Sequence, residues 1–168
     1  MLIKEKLGNI RTMSIIESDI DVLSIEWYET NKRIQHKQTK QGRNITLKFL
    51  RENPDLKEGD ILWQDQNTAI VVEIEPCKCI VITPKTILAA SSLCYEIGNR
   101  HLPLYCEGDD LLVPYEMPLH NLLRAAGFLL RVEERKLNDA LKTTVLPHLQ
   151  VTGTDNLFGK IRQLSTSS

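Results

Sequence analysis

The feature that most constrains the fold is a change in hydrophobic pattern at Glu75 and Pro76. Before this point apolar residues recur at every second position, as in half-buried strands, and after it strand-like runs alternate with helical stripes. A chain of 168 residues is long enough for two small domains. We therefore expect an α+β protein with a β-rich domain at 1–75, a second domain at 76–136 and a flexible tail at 137–168.

The first half of the chain predicts several short strands joined by turns. The strand-like runs lie at 21–27, 45–49, 61–63 and 69–74. Gly42 and Gly59 supply turn residues between these runs. Short, closely spaced strands are typical of a small β-barrel or β-sandwich, and we expect this domain to contact partner proteins or peptides.

The second half predicts the order strand, helix, strand, strand, helix, strand, which is that of a ferredoxin-like domain. Its strand-like runs lie at 77–82, 102–106, 111–115 and 128–132. Thr83 and Pro84 suit the N-cap and first turn of the first helix, and Pro118 begins the second. Pro103 has no amide hydrogen to donate, so the second strand is expected at an edge of the sheet.

Each predicted helix carries an apolar stripe and ends at a glycine. The first stripe consists of Ile87, Ala90, Cys94 and Ile97, and the second of Leu119, Leu122, Leu123 and Ala126. Gly98 and Gly127 suit the C′ position, where a left-handed backbone favours glycine. The first helix therefore leads directly into Asn99-Arg100-His101 at the start of the next strand.

His101 is the candidate metal ligand in this arrangement. No second histidine or carboxylate follows it at the spacing of a helix-borne site, so any further ligands must come from elsewhere, most naturally from a second copy of the chain. The spacing alone leaves an ordinary surface histidine as the alternative.

An ordered series of motifs resembles the UreE family of urease accessory proteins. The series is Trp27 with Glu29 and Lys32-Arg33, then Thr39 and Gly42, then residues 58–62 (EGDIL), 98–103 (GNRHLP) and 123–127 (LRAAG). The resemblance covers residues 15–135 and includes motifs from both halves of the chain, which makes it far more specific than GNRH alone.

The resemblance implies a cytoplasmic nickel metallochaperone. It implies a homodimer formed through the C-terminal domains, in which the two His101 side chains share one Ni(II). It further implies delivery of the ion, with the accessory GTPase UreG, to the urease apoprotein. Some relatives use a tail histidine as a third ligand, so His148 is the second candidate, and Zn(II) or Cu(II) could occupy the same nitrogen ligands.

The remaining histidines have less specific interpretations. His120, on the second predicted helix, is interpreted as structural. His36 lies in a basic stretch that is either a solvated strand face or a contact for an acidic partner. The cations of this stretch are Lys32, Arg33, Lys37, Lys40 and Arg43.

The four cysteines allow a rival metal site. Cys77 and Cys79 share one face of a strand and could hold a soft metal, but core packing is the favoured interpretation. Cys94 is assigned to the core by its stripe, and Cys106 is expected near the metal site without binding it. A cysteine-based metal buffer and a pure protein-interaction module therefore remain alternatives.

Composition excludes several other classes of function. The formal charge of −1 gives no electrostatic reason to expect a nucleic acid or an anionic membrane as partner. No apolar run reaches the length of about 20 residues that spans a bilayer, and no secretory signal is recognisable, so we expect a cytosolic protein with reduced thiols. No catalytic motif is recognisable, and we expect the protein not to be an enzyme.

Overall fold

The computed structural model describes residues 1–13, 19–51 and 53–141. Within them the chain forms seven strands that build an N-terminal domain, followed by four strands and two α-helices that build a C-terminal domain. The protein is thus a two-domain α+β protein, as the sequence predicts. No helix in the described part of the chain is long and apolar enough to span a bilayer.

Two separate sheets make up the N-terminal domain. Its strands are β1 (Leu2–Ile3), β2 (Gly8–Asn9), β3 (Asp19–Ile25), β4 (Ile34–Gln38), β5 (Asn44–Lys48), β6 (Asp60–Gln64) and β7 (Thr68–Ile74). One sheet has the order β1-β5-β4 and the other the order β2-β6-β7-β3. The β1–β5 and β3–β7 pairs are parallel and the other pairs are antiparallel. In the described residues these strands do not close into a barrel.

A shared core joins the two sheets because each turns its apolar positions toward the other. Leu23 of β3 and Leu47 of β5 come from different sheets, and both are fully buried in the same cluster. Trp27, predicted as the end of the first strand, instead begins a 3₁₀ helix at Trp27–Glu29. There its ring packs against the N-terminal core and against Tyr105 of the C-terminal domain, at 6.5 Å between ring centroids.

The C-terminal domain is one antiparallel sheet with two helices. Its elements are β8 (Pro76–Ile82), α1 (Ile87–Asn99), β9 (Tyr105–Glu107), β10 (Asp110–Pro114), α2 (Met117–Ala125) and β11 (Arg131–Lys136). The strand order is β11-β8-β10-β9. β9, the second strand of this domain, lies at an edge as Pro103 predicts, although the strand begins two residues after the proline.

The two faces of this sheet pack against different partners. Ile80 and Val113 face the helices and contact Leu93 and Ile97 of α1 and Leu123 of α2. The opposite face packs against the N-terminal domain through a cluster that Trp27 joins. Polar contacts support the junction, since Lys136 Nζ lies 2.9 Å from Glu58 Oε1 and 3.4 Å from Glu73 Oε1.

Several predicted boundaries in the C-terminal domain are wrong. α1 begins at Ile87 because Thr86, and not Thr83, is its N-cap; the Thr86 hydroxyl accepts a hydrogen bond of 3.1 Å from the Ala89 amide. β9 begins at Tyr105 instead of residue 102, and β11 spans Arg131–Lys136 instead of 128–132. Both strands begin late because the residues that follow each helix close its C-terminus before the chain becomes extended.

Candidate metal site

The C-terminus of α1 is closed by a Schellman motif that fixes His101. Arg100 is the C-cap, and His101 occupies the C′ position with φ of 55°. The His101 amide donates to the Gly98 carbonyl at 3.0 Å, and the Leu102 amide donates to the Ile97 carbonyl at 3.4 Å. These are the two hydrogen bonds that define the motif, and Leu102 adds its hydrophobic contact by packing on the cluster that contains Ile97.

This backbone geometry is unfavourable for histidine. A left-handed conformation brings Cβ close to backbone oxygen and costs a residue other than glycine about 1–2 kcal/mol. Gly98, predicted at C′, instead lies inside the helix, where an added Cβ would meet no atom within 4 Å. The chain therefore places histidine where glycine fits best and glycine where alanine would fit. Such local strain is typical of functional positions.

His101 is exposed at the end of α1, and the charge beside it is partly neutralised. The Arg100 guanidinium turns back along the helix, where its Nη1 lies 2.7 Å from Glu96 Oε2 and 2.8 Å from the Glu96 carbonyl oxygen. This ion pair directs the guanidinium toward the preceding turn. The His101 imidazole thus remains accessible to a ligand from solvent or from another chain.

The outward face of α1 carries no charge over residues 87–95, and its largest exposed side chains are apolar. Its exposed positions are Ile87, Leu88, Ser91, Ser92, Cys94, Tyr95, Gly98 and Asn99. Ile87, Leu88 and Tyr95 keep 88%, 77% and 69% of their surfaces exposed.

The apolar stripe predicted for the first helix is therefore wrong in part. Ile87 and Cys94 face solvent, while the core side is formed by Leu93 and Ile97. The second stripe is wrong in part as well: Leu119 and Leu123 are buried, whereas Leu122 and Ala126 are exposed.

Of the other histidines, His36 and His120 lie in the described part of the chain and do not join His101 in one cluster. His148 lies outside the described residues. His120 packs against Tyr115 with 5.8 Å between the ring centroids, and His36 Nδ1 lies 3.0 Å from the Thr46 hydroxyl. Across residues 1–13, 19–51 and 53–141, no three His, Cys, Asp or Glu side chains are grouped closely enough to hold a metal ion.

Two of the four cysteines, Cys77 and Cys79, lie in contact with each other. Cys79 is fully buried, as its core assignment predicts, and its sulfur lies 3.7 Å from that of Cys77. Burial raises the pKa of Cys77 to about 12, so this thiol stays protonated at neutral pH. Cys94 and Cys106 are exposed, which makes the core assignment of Cys94 wrong, and burial is the main factor that raises the pKa of the Cys106 thiol.

The fold and the site together define a class: a two-domain α+β protein that presents a strained, exposed histidine at the end of an uncharged helix face. Comparison with protein families assigns both domains to one family. The N-terminal domain of the UreE urease accessory protein matches residues 3–75, and the C-terminal domain of the same family matches residues 77–143. The chain belongs to the UreE family of urease accessory proteins, which are not enzymes.

Individual relatives support the same assignment. The chain is 39% identical over 165 residues to the urease accessory protein UreE of Flavobacterium johnsoniae. This aligned region covers 98% of this chain and 99% of the relative. It is 39% identical over 127 residues to the protein of that name from Acetivibrio thermocellus, covering 76% and 82% of the two chains. The protein of that name from Helicobacter pylori is 35% identical over 153 residues, covering 88% and 89%.

Sequence reasoning selected His101 as the candidate ligand but missed two properties of its surroundings. The first is the left-handed backbone, for which the available signal was Leu102, an apolar residue following His101 that could pack on Ile97 as the Schellman motif requires. The second is the outward apolar face of α1. This face could have been predicted from the absence of charged residues at 87–95, because a solvated helix normally carries charged residues on its outer side.

Proposed function

We propose that this protein is a homodimeric nickel chaperone of urease maturation, in which one Ni(II) is held between the His101 side chains of two subunits. The observation that carries the proposal is the position of His101, in a strained conformation at the end of an exposed, uncharged helix face. Membership in the UreE family supplies the urease context. The ion is cargo, received from the cell and passed on, with the accessory GTPase UreG, to the urease apoprotein in the cytoplasm.

The face of α1 supports pairing of two C-terminal domains. Exposed aliphatic and aromatic side chains gain free energy when they leave water, at roughly 25 cal/mol per Å² of apolar surface. Gly98 lies at the His101 end of this face, and its lack of a side chain allows a second helix to approach closely. A two-fold axis near this end would bring both His101 imidazoles together.

Two imidazoles suit a carrier of nickel. Nitrogen ligands give Ni(II) useful affinity because the ion stands high in the Irving–Williams series, and two protein ligands leave coordination positions open to an acceptor. The same ligands accept Zn(II) or Cu(II). His148 is proposed as an additional ligand from the tail, supported only by the resemblance to relatives with a tail histidine.

The architecture is proposed in finer terms as well. We assign the β8–β11 sheet with α1 and α2 to a ferredoxin-like fold and the two N-terminal sheets to a sandwich-like fold. The observed antiparallel order β11-β8-β10-β9 supports the first assignment, and the core shared between sheets supports the second. The domain limits 1–75 and 76–136, with a tail at 137–168, are retained as part of the proposal.

Calorimetric titration of Ni(II) into the purified protein tests the proposed function. The wild type should bind about half an equivalent per chain, and His101→Ala should lose this binding. His120→Ala is the matched control, because it removes an imidazole that packs against Tyr115 in the same domain. Undiminished binding by His101→Ala would reject the proposal and direct attention to His148 or the cysteines.

A further inference from the structure

The outer face of the β1-β5-β4 sheet is a second surface with unusual chemistry. Along β5 the side chains of Ile45 and Leu47 are buried against the other sheet, so those of Asn44, Thr46 and Lys48 point outward. The pattern continues on both neighbouring strands. The outward residues of this face, which we call the outer sheet face, are Leu2, Lys4, Ile34, His36, Gln38, Asn44, Thr46, Lys48 and Leu50.

The strand register groups the apolar and cationic residues at one end of this face. Leu2 pairs with Thr46 in the parallel β1–β5 ladder, and Ile34 pairs with Lys48 in the antiparallel β5–β4 ladder. Lys4 follows β1 beside Lys48. Leu2, Ile34 and Leu50 keep 53%, 56% and 63% of their surfaces exposed, so the three aliphatic side chains lie open to solvent among cations.

A groove crosses this end of the face. It has a volume of about 540 Å³ and is lined by Leu2, Lys4, Glu5, Lys48, Leu50 and Arg51. Among these residues three are cations and one is an acid. Within the described residues, none of the three cations forms an ion pair, so their charge is available to a ligand.

The basic stretch predicted from the sequence behaves differently from this groove. Lys32 and Lys37 both pair with Glu29, and Lys40 pairs with Glu73. Arg43 pairs with Asp21, so four of the five cations of this stretch form ion pairs within the chain. The unpaired cations of the same sheet lie instead beside exposed leucines, which makes the groove the more attractive surface for an anion.

We infer that the outer sheet face docks an acidic, amphipathic polypeptide segment of a partner protein. Carboxylates of the segment would pair with Lys4, Lys48 and Arg51, and its apolar residues would cover Leu2, Ile34 and Leu50. Burial of the aliphatic side chains supplies affinity, while charge complementarity fixes orientation and speeds association. The inference concerns a different domain from the proposed nickel site and does not depend on it.

The composition of the face favours a polypeptide over other anions. Proteins that bind single-stranded nucleic acid present several aromatic side chains for base stacking, whereas the outer sheet face has no Phe, Tyr or Trp and a single imidazole, His36, among its described residues. Stable adhesion to anionic lipid needs a large apolar face or a dense cluster of basic residues. Three cations interspersed with three aliphatic side chains match the alternation of an acidic amphipathic peptide.

Fluorescence anisotropy with the full-length protein tests the inference. The probe is a labelled nonapeptide of alternating glutamate and leucine, and a second peptide with lysine in place of glutamate is its control. We expect the acidic peptide to bind and the lysine peptide not to bind.

Three variants test which residues carry this binding. Lys48→Glu should weaken the binding of the acidic peptide about tenfold, because the substitution removes an ion pair with the peptide and introduces a repulsion. Leu50→Ser should weaken it about threefold. Lys85→Glu, which makes the same charge change on an exposed lysine of the C-terminal domain, should leave the affinity within about twofold.

Several results would overturn the inference. Equal weakening by Lys48→Glu and Lys85→Glu would show that only net charge matters. Absence of binding to the acidic peptide, or equal binding of the lysine peptide, would remove the proposed chemistry. Tighter binding of anionic phospholipid vesicles or of a single-stranded oligonucleotide, abolished in Lys48→Glu, would assign the face to that ligand instead. Circular dichroism of each variant establishes that the fold is retained.

Discussion

The two helices of the C-terminal domain end in the same way but with different residues. At the end of α2, Gly127 occupies the C′ position with φ of 86°, and its amide donates to the Arg124 carbonyl at 3.0 Å. The Phe128 amide donates to the Leu123 carbonyl at 3.1 Å, so α2 forms the same Schellman motif as α1. The difference is that α2 uses glycine at C′ and α1 uses His101.

The outer faces of the helices differ as well. The exposed residues of α2 are Met117, Pro118, Asn121, Leu122, Arg124 and Ala125, which include a charge and an amide. The exposed face of α1 has no charge over residues 87–95, and Glu96 beyond them is paired with Arg100. Since α2 satisfies the requirements of the fold with a glycine and a mixed surface, the histidine and the uncharged face of α1 are additions that folding does not require. The proposed function accounts for both.

A charge on the α1 face should have the largest effect. Leu88→Asp would place a carboxylate in an apolar contact, at a cost of about 3 kcal/mol or roughly a hundredfold in the dimer dissociation constant. Light scattering should then give a mass near 19.2 kDa, against twice that value for the wild type. Asn121→Asp makes a similar change on α2 and should remain dimeric. Dissociation of both variants, or of neither, would remove the distinction between the helices.

Transfer of the histidine to α2 should destabilise the protein without creating a metal site. Gly127→His imposes a left-handed conformation on a residue with a side chain, and the free energy of unfolding should fall by about 1–2 kcal/mol. Urea denaturation measures the change. The nickel stoichiometry should remain that of the wild type, because the new imidazole has no second copy beside it. A gain of stoichiometric nickel would show that the outer face of α1 is unnecessary.

The reverse substitution should stabilise the protein. His101→Gly relieves the unfavourable φ, and the relief is partly offset by the greater freedom of glycine in the unfolded chain, which leaves about 0.5–1 kcal/mol. Denaturation in the Leu88→Asp background, without nickel, measures the gain free of any contribution from association. Loss of stability would mean that the imidazole makes structural contacts that outweigh the strain.

Removal of the neighbouring charge should have the smallest effect. Arg100→Ala eliminates an exposed i, i+4 ion pair with Glu96, worth about 0.3–0.5 kcal/mol. The nickel stoichiometry should not change, since the guanidinium is held toward the preceding turn. A large loss of nickel in this variant would identify Arg100 as part of the site.

Much of this architecture could be predicted from local signals. Pro103 correctly assigned the second strand of the C-terminal domain to an edge, and Gly127 correctly ended α2. The two-residue strands β1 and β2 were missed because no periodicity can be expressed over two positions. β4 was missed because four of the five residues in its sequence, IQHKQ, are polar, including the buried Gln35 on the inner side.

The orientation of α1 could not be predicted because both of its faces are apolar. A hydrophobic stripe identifies the inner side only when the outer side is polar, and here Ile87 and Leu88 compete with Leu93 and Ile97. The same ambiguity reflects the proposed function, since a helix buried on one side by its own domain and on the other by a partner must be apolar on both. The motif around His101 made this residue the candidate ligand, but its left-handed backbone depends on the Schellman bonds and on the packing of Leu102.

Mixed dimers test the shared site most directly. After subunit exchange between wild type and His101→Gly, native mass spectrometry resolves the two homodimers and the heterodimer in one sample with a limiting amount of Ni(II). We predict nickel on the wild-type homodimer and at least about tenfold less on the heterodimer, which has one imidazole at the axis. A heterodimer that retains one nickel as tightly as the wild-type homodimer would show that each chain binds the ion alone, and would contradict the account.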